Sequence, residues 1–221
     1  MIAPGTPLRV VGDVHGDIKG FTAAIATDRF VLQLGDLVDE GPDSAGVLRL
    51  MFQLIDEKRG AFLIGNHDRK LGRWLRGEHV RPSAALEATR ASLTPELAER
   101  ALYEIERAPL WWRQGPRFFV HAAFHRGMLS EDPPPGLGPA GPILSRALFG
   151  QVTGRLQPDG YPERILSWVE HIPAGITVYC GHDQRSRDGR PYVARNDAGG
   201  EAVFLDTGAG KGGHLSWIDL D

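Results

Sequence analysis

An α/β fold built on a largely parallel sheet is the class this sequence predicts, on three observations. Short apolar runs alternate with segments of helical period through about residue 70. Each run ends in glycine followed by Asp, Asn or His, not in a hairpin turn. The intervening segments are long enough for helical crossovers, which parallel neighbours require.

Leu8 to Val11 reads as the first strand, and Ile18 to Ala26 as the helix that follows. Phe30 to Leu34 is the second strand. The turn dipeptide Gly41-Pro42 then precedes a helix starting at Asp43, whose apolar stripe is Val47, Leu48, Met51, Leu54 and Ile55. Ala61 to Ile64 returns to strand. Asn66 to about Ala108 has a helical pattern, with Thr94-Pro95-Glu96 as an N-cap followed by proline at the first helical position. Arg117 to Val120 is again a strand. Proline and glycine crowd Asp132 to Pro142, which predicts an irregular loop, and the irregular stretch continues to about Pro162. A helix is expected over Glu163 to Glu170, then a buried strand over Ile176 to Cys180. Short strands near Tyr192 to Ala194, Ala202 to Leu205 and Leu215 to Ile218 suggest an antiparallel second sheet. At 221 residues the expectation is one domain, 1–221, with a helical segment at about 70–110 and an irregular region at about 127–162.

Apolar residues make up 42% of the chain and charged residues 24%, ordinary values for a soluble enzyme. A formal charge of −3 gives no overall basic field for extended nucleic-acid binding. Cys180 is the only cysteine, so no internal disulfide or thiolate zinc knuckle can form, and its apolar neighbours mark it as a buried strand thiol. No run of about 20 apolar residues spans a membrane, and no leader pattern opens the chain, so the cytoplasm is the expected location.

Five strand-end segments carry the chemistry: Gly12-Asp13-Val14-His15-Gly16, Gly35-Asp36-Leu37-Val38-Asp39, Gly65-Asn66-His67-Asp68, Val120-His121-Ala122 and Cys180-Gly181-His182. Asp13 and His15 are spaced to reach one ion. Asp36 has two oxygens and can bridge two ions. Asn66 offers a carbonyl oxygen, and His121 and His182 offer neutral imidazoles. Such an oxygen and nitrogen set suits Mn, Fe, Zn or Ni. Two adjacent cations stabilise the entering and leaving oxygens of an in-line displacement, and they lower the pKa of a bound water to about 7. His67, beside Asn66, has the pKa range of a general acid, with Asp39 its natural partner and Asp68 a weaker one. Asp206, after Val203-Phe204-Leu205, reads either as a loop carboxylate or as a supporting group. His79, His125, His171 and His214 read as surface or packing residues.

Residues 12 to 183 resemble the calcineurin-like metallophosphoesterase superfamily, in its phosphoprotein-phosphatase-like branch. Between the motifs, Gly65 to Leu71, Trp74-Leu75, Tyr179 to His182 and Leu205 to Gly208 with Lys211-Gly212-Gly213 resemble the phosphatase domain of bacterial polynucleotide kinase-phosphatase. The resemblance implies a four-layer αββα sandwich of two mixed sheets flanked by helices. It also implies metal ligands at Asp13, His15, Asp36, Asn66, His121 and His182, and His67 as the acid paired with Asp39. Two divalent ions are expected, Mn first, with Ni, Fe, Zn or Co as alternatives. The expected substrates are nucleotide or RNA-end phosphoesters, including 2′,3′-cyclic phosphates, with no membrane and no obligate protein partner. A protein serine/threonine phosphatase, a dinucleoside polyphosphate hydrolase and a metal-binding scaffold with decayed catalysis are the alternatives.

Glu40 stands where the family has a phosphate-binding arginine, so a bidentate cation is replaced by an anion. Monoester dianions should suffer more than diesters, unless Arg146, Arg155 or Arg185 substitutes. Ala123 replaces a glycine that usually follows His121-Ala122. Arg69, Lys70, Arg73 and Arg76 share one helix behind His67, which reads either as a nucleotide-binding patch or as a solvated helix face. Trp111-Trp112 reads either as a base-stacking pair or as packing.

Overall fold

The computed structural model describes residues 5–158, 160, 162–186 and 188–221. A first sheet is formed by β1 (Leu8–Val11), β2 (Phe30–Gln33), β3 (Gly60–Phe62) and a final strand, β11 (Trp217–Leu220), in the order β11-β1-β2-β3. The three N-terminal strands run parallel, and β11 pairs antiparallel with β1, Leu8 opposite Leu220. Helices α1 (Ile18–Ala24) and α2 (Ser44–Asp56) make the crossovers. Asp17 and Asp43 cap them by accepting hydrogen bonds from the amides of Gly20 and Gly46. The stripe on α2 is buried from Val47 to Leu54, while Ile55 is only partly covered.

Three helices follow: α3 (Asn66–Leu75), α4 (Ala84–Ser92) and α5 (Pro95–Arg107). Thr94 caps α5 through Leu97 N, with Pro95 in the first turn. The second sheet contains β4 (Trp111–Gln114), β5 (Arg117–Val120), β8 (Thr177–Cys180), β9 (Tyr192–Arg195) and β10 (Glu201–Phe204), in the order β4-β5-β8-β10-β9. Its centre is parallel and both edges are antiparallel.

Side-chain alternation glues the sheets together. Leu8, Val10, Leu32, Leu34 and Leu63 from one meet Phe119, Tyr179, Val203 and Leu205 from the other in a single buried cluster. The opposite faces, with Val11, Val31, Phe118, Val178 and Phe204, belong to the outer core with Leu48, Met51, Leu144, Leu148 and Trp168. The two mixed sheets and flanking helices agree with the implied sandwich.

Three expectations need correction. Leu215 to Ile218 does not join the second sheet, because Trp217–Leu220 completes the edge of the first one beside β1. The region at 127–162 is not wholly irregular. It contains α6 (Pro142–Phe149), whose Pro142 is a helix start and not a loop residue, with Leu144, Ala147 and Leu148 buried. It also contains β6 (Val152–Leu156), and Asp159 and Tyr161 in that region lie outside the described residues. The helix expected at Glu163 to Glu170 is instead β7 (Pro162–Arg164), paired antiparallel with the exposed β6, and a 3-10 turn at Val169–His171. Cross-strand pairing, including Thr153 Oγ1 donating to Glu163 Oε2 at 2.7 Å, wins there over helical spacing. Trp111 and Trp112 pack, as their packing reading expects: they form an edge strand in which Trp111 is buried and Trp112 stacks on Phe119 at 5.4 Å.

No helix among the described residues is long and apolar enough to cross a membrane.

Candidate active site

Every parallel strand of both sheets points its carboxyl end at one place. β1 delivers Asp13 and His15, β2 delivers Asp36, and the first turn of α3 delivers Asn66 and His67. From the second sheet β5 delivers His121, β8 delivers His182 and β10 delivers Asp206. The loops are stitched to one another: Val14 N and His15 N both donate to Asp36 O at 3.0 and 2.9 Å, and Gly181 N donates to His121 O at 2.8 Å. Close packing requires glycine at Gly35, where φ is +101° and a Cβ would lie 2.7 Å from the Gly65 backbone and His121 Nδ1. Among the described residues six non-glycine residues have left-handed backbone, and five of them are His15, Asp36, Asp39, Glu40 and His182. That conformation costs about 1–2 kcal/mol per residue and is held here by the surrounding hydrogen bonds.

The imidazoles are oriented from behind. His15 Nδ1 lies 3.1 Å from Val38 O and His121 Nδ1 lies 2.9 Å from Leu34 O. Each Nδ1 therefore carries the proton it donates, leaving Nε2 with a free lone pair. Both Nε2 atoms face Asp36 Oδ2, at 3.7 Å from His15 and 3.6 Å from His121. His15 Nε2 is also 3.9 Å from Asp13 Oδ2, and His121 Nε2 is 3.1 Å from Asn66 Oδ1. Two clusters able to hold a cation result, His15 with Asp36 and His67, and Asp36 with His121 and His182. Asp36 is common to both, and its donors fit a pair of divalent ions.

Electrostatics agree with that fit. Burial lowers the pKa of His15 to about 4, against the opposing charge of Asp36, and burial also lowers those of His121 and His182. All three are neutral at pH 7, as a ligand must be. Burial pushes the carboxyl of Asp36 up, but the surrounding imidazoles of His121, His67, His15 and His182 overcome it and hold it below the ordinary range. Asp13 is pushed up by burial, then by the charges of Asp206 and Asp36. Its oxygens accept from His182 N at 3.0 and 3.1 Å.

His67 lies beside the ligand set. Its Nδ1 is 2.7 Å from Asp39 Oδ2, and its ring meets that of His15 edge-on at 4.8 Å. Burial would lower its pKa, yet Asp36 and then the bond and charge of Asp39 raise it to about 9. Its imidazole is therefore protonated at neutral pH. Asp39 is itself fixed: Thr89 Oγ1 donates to Asp39 Oδ1 at 2.7 Å, and Asp39 N donates to Ser44 Oγ at 2.9 Å. Sequence spacing gave no sign of Thr89, which arrives from α4, fifty positions away.

Asp68 does not partner His67. Its Oδ2 accepts from Asp36 N at 2.7 Å and Gly65 N at 3.0 Å, and its Oδ1 accepts from Leu37 N at 3.0 Å. Burial, then the charge of Asp36, raise its pKa to about 7 while these three amides pull it down. It clamps the Asp36 loop to α3. Asp68→Ala is expected to cost about 3 kcal/mol or more, because three buried N–H groups lose their acceptor. Urea unfolding measures this, and a loss below about 1 kcal/mol would show that another acceptor takes over.

Arg69 is not free for substrate: Nε and Nη2 donate to Gly136 O at 2.9 Å and Gly138 O at 2.7 Å, fastening that loop. Arg73 pairs with Glu78 at 2.6 Å and Arg76 with Glu106 at 2.9 Å, so much of this basic face is spent on internal pairs. Glu40 is exposed on the turn after Asp39. Of the three arginines considered as substitutes, Arg146 bonds Gln151 at 3.0 Å and Arg185 pairs with Asp183 at 2.6 Å, while Arg155 lies on the exposed β6. Asp206 is buried and accepts from Gly208 N at 2.9 Å. Cys180 is buried, and burial pushes its thiol well above the usual range.

Two sandwiched mixed sheets with this cluster of His, Asp and Asn at their shared edge define a metallophosphoesterase, a hydrolase using divalent metal ions. Residues 6–140 match the calcineurin-like phosphoesterase family, and the chain belongs to it. Among its relatives are asymmetrical bis(5′-nucleosyl)-tetraphosphatases named PrpE. That of Geobacillus thermodenitrificans is 27% identical over 94% of this chain and 87% of its own length. That of Oceanobacillus iheyensis is 28% identical over 78% of this chain and 75% of its own. In structure the chain is similar to a protein provisionally described as a diadenosine tetraphosphatase (TM-score 0.66, 19% identity, 99% of this chain and 95% of that one). It is also similar to a Saccharomyces cerevisiae protein serine/threonine phosphatase with similarity to human PP5 (TM-score 0.64, 13% identity, 99% and 81%). At these identities the structural likeness concerns the fold.

Proposed function

We propose that the protein hydrolyses phosphate linkages in nucleotides, with dinucleoside polyphosphates as its substrate class. The observation that carries the hydrolase chemistry is Asp36 Oδ2, set 3.7 and 3.6 Å from two oriented imidazoles and beside a protonated His67. Asp13, His15, Asp36, Asn66, His121 and His182 would hold two divalent ions, with manganese the first choice for this ligand set. Such a pair supplies Lewis acidity and an acidified water. His67 donates a proton from Nε2 to the departing oxygen, and Asp39 keeps it charged. The relatives' names support the tetraphosphate reading. So does the internal pairing along α3, which leaves little basic track for an RNA backbone.

A second reading, RNA-end and 2′,3′-cyclic phosphates, draws on the acid itself. A ribose hydroxyl is a poor leaving group and needs protonation, whereas a departing nucleotide phosphate needs little. Side-by-side turnover of dinucleoside tetraphosphate, 2′,3′-cyclic nucleotide, a monoester, a linear diester and a phosphopeptide with Mn separates them. Preference for the cyclic nucleotide over the tetraphosphate would overturn the first reading. Inactivity on all five would overturn both. The chain as a single catalytic unit in the cytoplasm belongs to the same proposal.

Glu40→Arg is expected to raise monoesterase relative to diesterase activity about tenfold, by restoring a bidentate cation and removing an anion that repels a dianion. An unchanged ratio would mean that position 40 does not face the phosphate.

A further inference from the structure

With Glu40 in the place of a cation, the phosphate needs a positive group from elsewhere. Lys211 supplies one beside the ligand cluster. Its Nζ lies 3.1 Å from His15 Nε2, the nitrogen that faces Asp13 and Asp36. Its charge is felt across the site: it pulls the carboxyls of Asp13 and Asp206 down and works against protonation of His15 and His67. Among the described residues no ion pair ties it to a carboxylate, in contrast to Arg73, Arg76 and Arg185.

The loop that carries Lys211 is built to place it there. Thr207 Oγ1 donates to His214 O across its base, and Lys211 N and Gly213 N donate to Gly208 O at 3.0 and 2.9 Å. Gly210, at φ +72°, packs so tightly on the carbonyl of His15 that a Cβ could not be accommodated. The same Cβ would lie 3.2 Å from Gly41 N. The lysine loop therefore lies against Gly41, the residue next to Glu40.

The geometry points to Lys211 as the cation that binds a phosphoryl oxygen of the substrate, in place of the arginine absent at position 40. This rests on the phosphoesterase reading above. A compact ammonium on a flexible four-carbon stem can follow an anion over a few ångströms. A divalent cation held by the His15 cluster would repel the ammonium, and an anion bound there would attract it. Lysine binds phosphate as a point charge, without the fixed fork of an arginine.

The test uses the full chain loaded with Mn, as wild type, Lys211→Met and Lys211→Arg. Inorganic phosphate is titrated calorimetrically, bound metal is counted by mass spectrometry, and KM and kcat are measured on dinucleoside tetraphosphate. Lys211→Met is expected to weaken phosphate binding and raise KM at least about tenfold, with metal content and melting temperature unchanged. Lys211→Arg should retain most of both. Unchanged phosphate affinity in Lys211→Met overturns the assignment. Loss of metal from that variant also overturns it, since the lysine would then serve the metal site. Should the wild type hydrolyse none of the esters, the functional reading fails, while the phosphate titration still judges Lys211.

Discussion

Asp36→Ala is expected to lower turnover of every phosphoester by at least about 10³-fold and to halve, or abolish, bound metal. Groups that merely orient a metal ligand are worth about 10–100-fold, and a carboxylate that would serve both proposed ions should exceed that. Asp36 Oδ2 lies within 3.7 Å of both His15 Nε2 and His121 Nε2. Its Oδ1 accepts from His67 N at 2.8 Å, so the alanine variant also loses the tie to the first turn of α3. Asp36→Asn keeps that acceptor and separates the effects: it should fold like the wild type yet bind metal poorly. Metal counting on the purified variants, with circular dichroism as the folding control, checks this. Two ions retained per chain in Asp36→Ala would dismiss the bridging role.

His67→Ala is expected to keep its metal and to lose activity in proportion to how badly the leaving group needs a proton. For p-nitrophenyl esters the loss should be about tenfold or less. For alkyl esters and 2′,3′-cyclic phosphates it should reach about 10²–10⁴-fold, the usual contribution of a general acid. The reason is local: the 2.7 Å contact with Asp39 and the nearby charge of Asp36 keep the ring protonated at neutral pH. The measurement is the slope of log kcat/KM against leaving-group pKa, which should steepen in the variant. Parallel lines for wild type and variant would remove His67 from proton transfer.

Asp36 and His67 are legible in the sequence, because a glycine turn followed by Asp, Asn or His after an apolar run marks a strand end in parallel sheets. The first seventy residues were readable for the same reason: local period and capping residues agree there with the final fold. Legibility failed where the outcome depends on distant partners. Pro142 begins a helix because Leu144 and Leu148 find a core to enter, which no local count of prolines conveys. Trp217–Leu220 joins β1 at a separation of about 200 residues, so its sheet could not be assigned from its neighbours. Asp68 and Arg69 have the chemistry of site residues, yet backbone groups claim both. Thr89 and Lys211 show the converse, polar side chains carried to the centre by segments outside the strand-end motifs.

The left-handed backbone at His15, Asp36, Asp39 and His182 bears on how the molecule can be altered. Glycine would relax each of those turns, so a search for heat tolerance alone would drift toward erasing the very side chains that do the chemistry. Durability and turnover thus compete at the same few positions, and improvement of one without harm to the other has to be sought in the sandwich interior or on the outer helices.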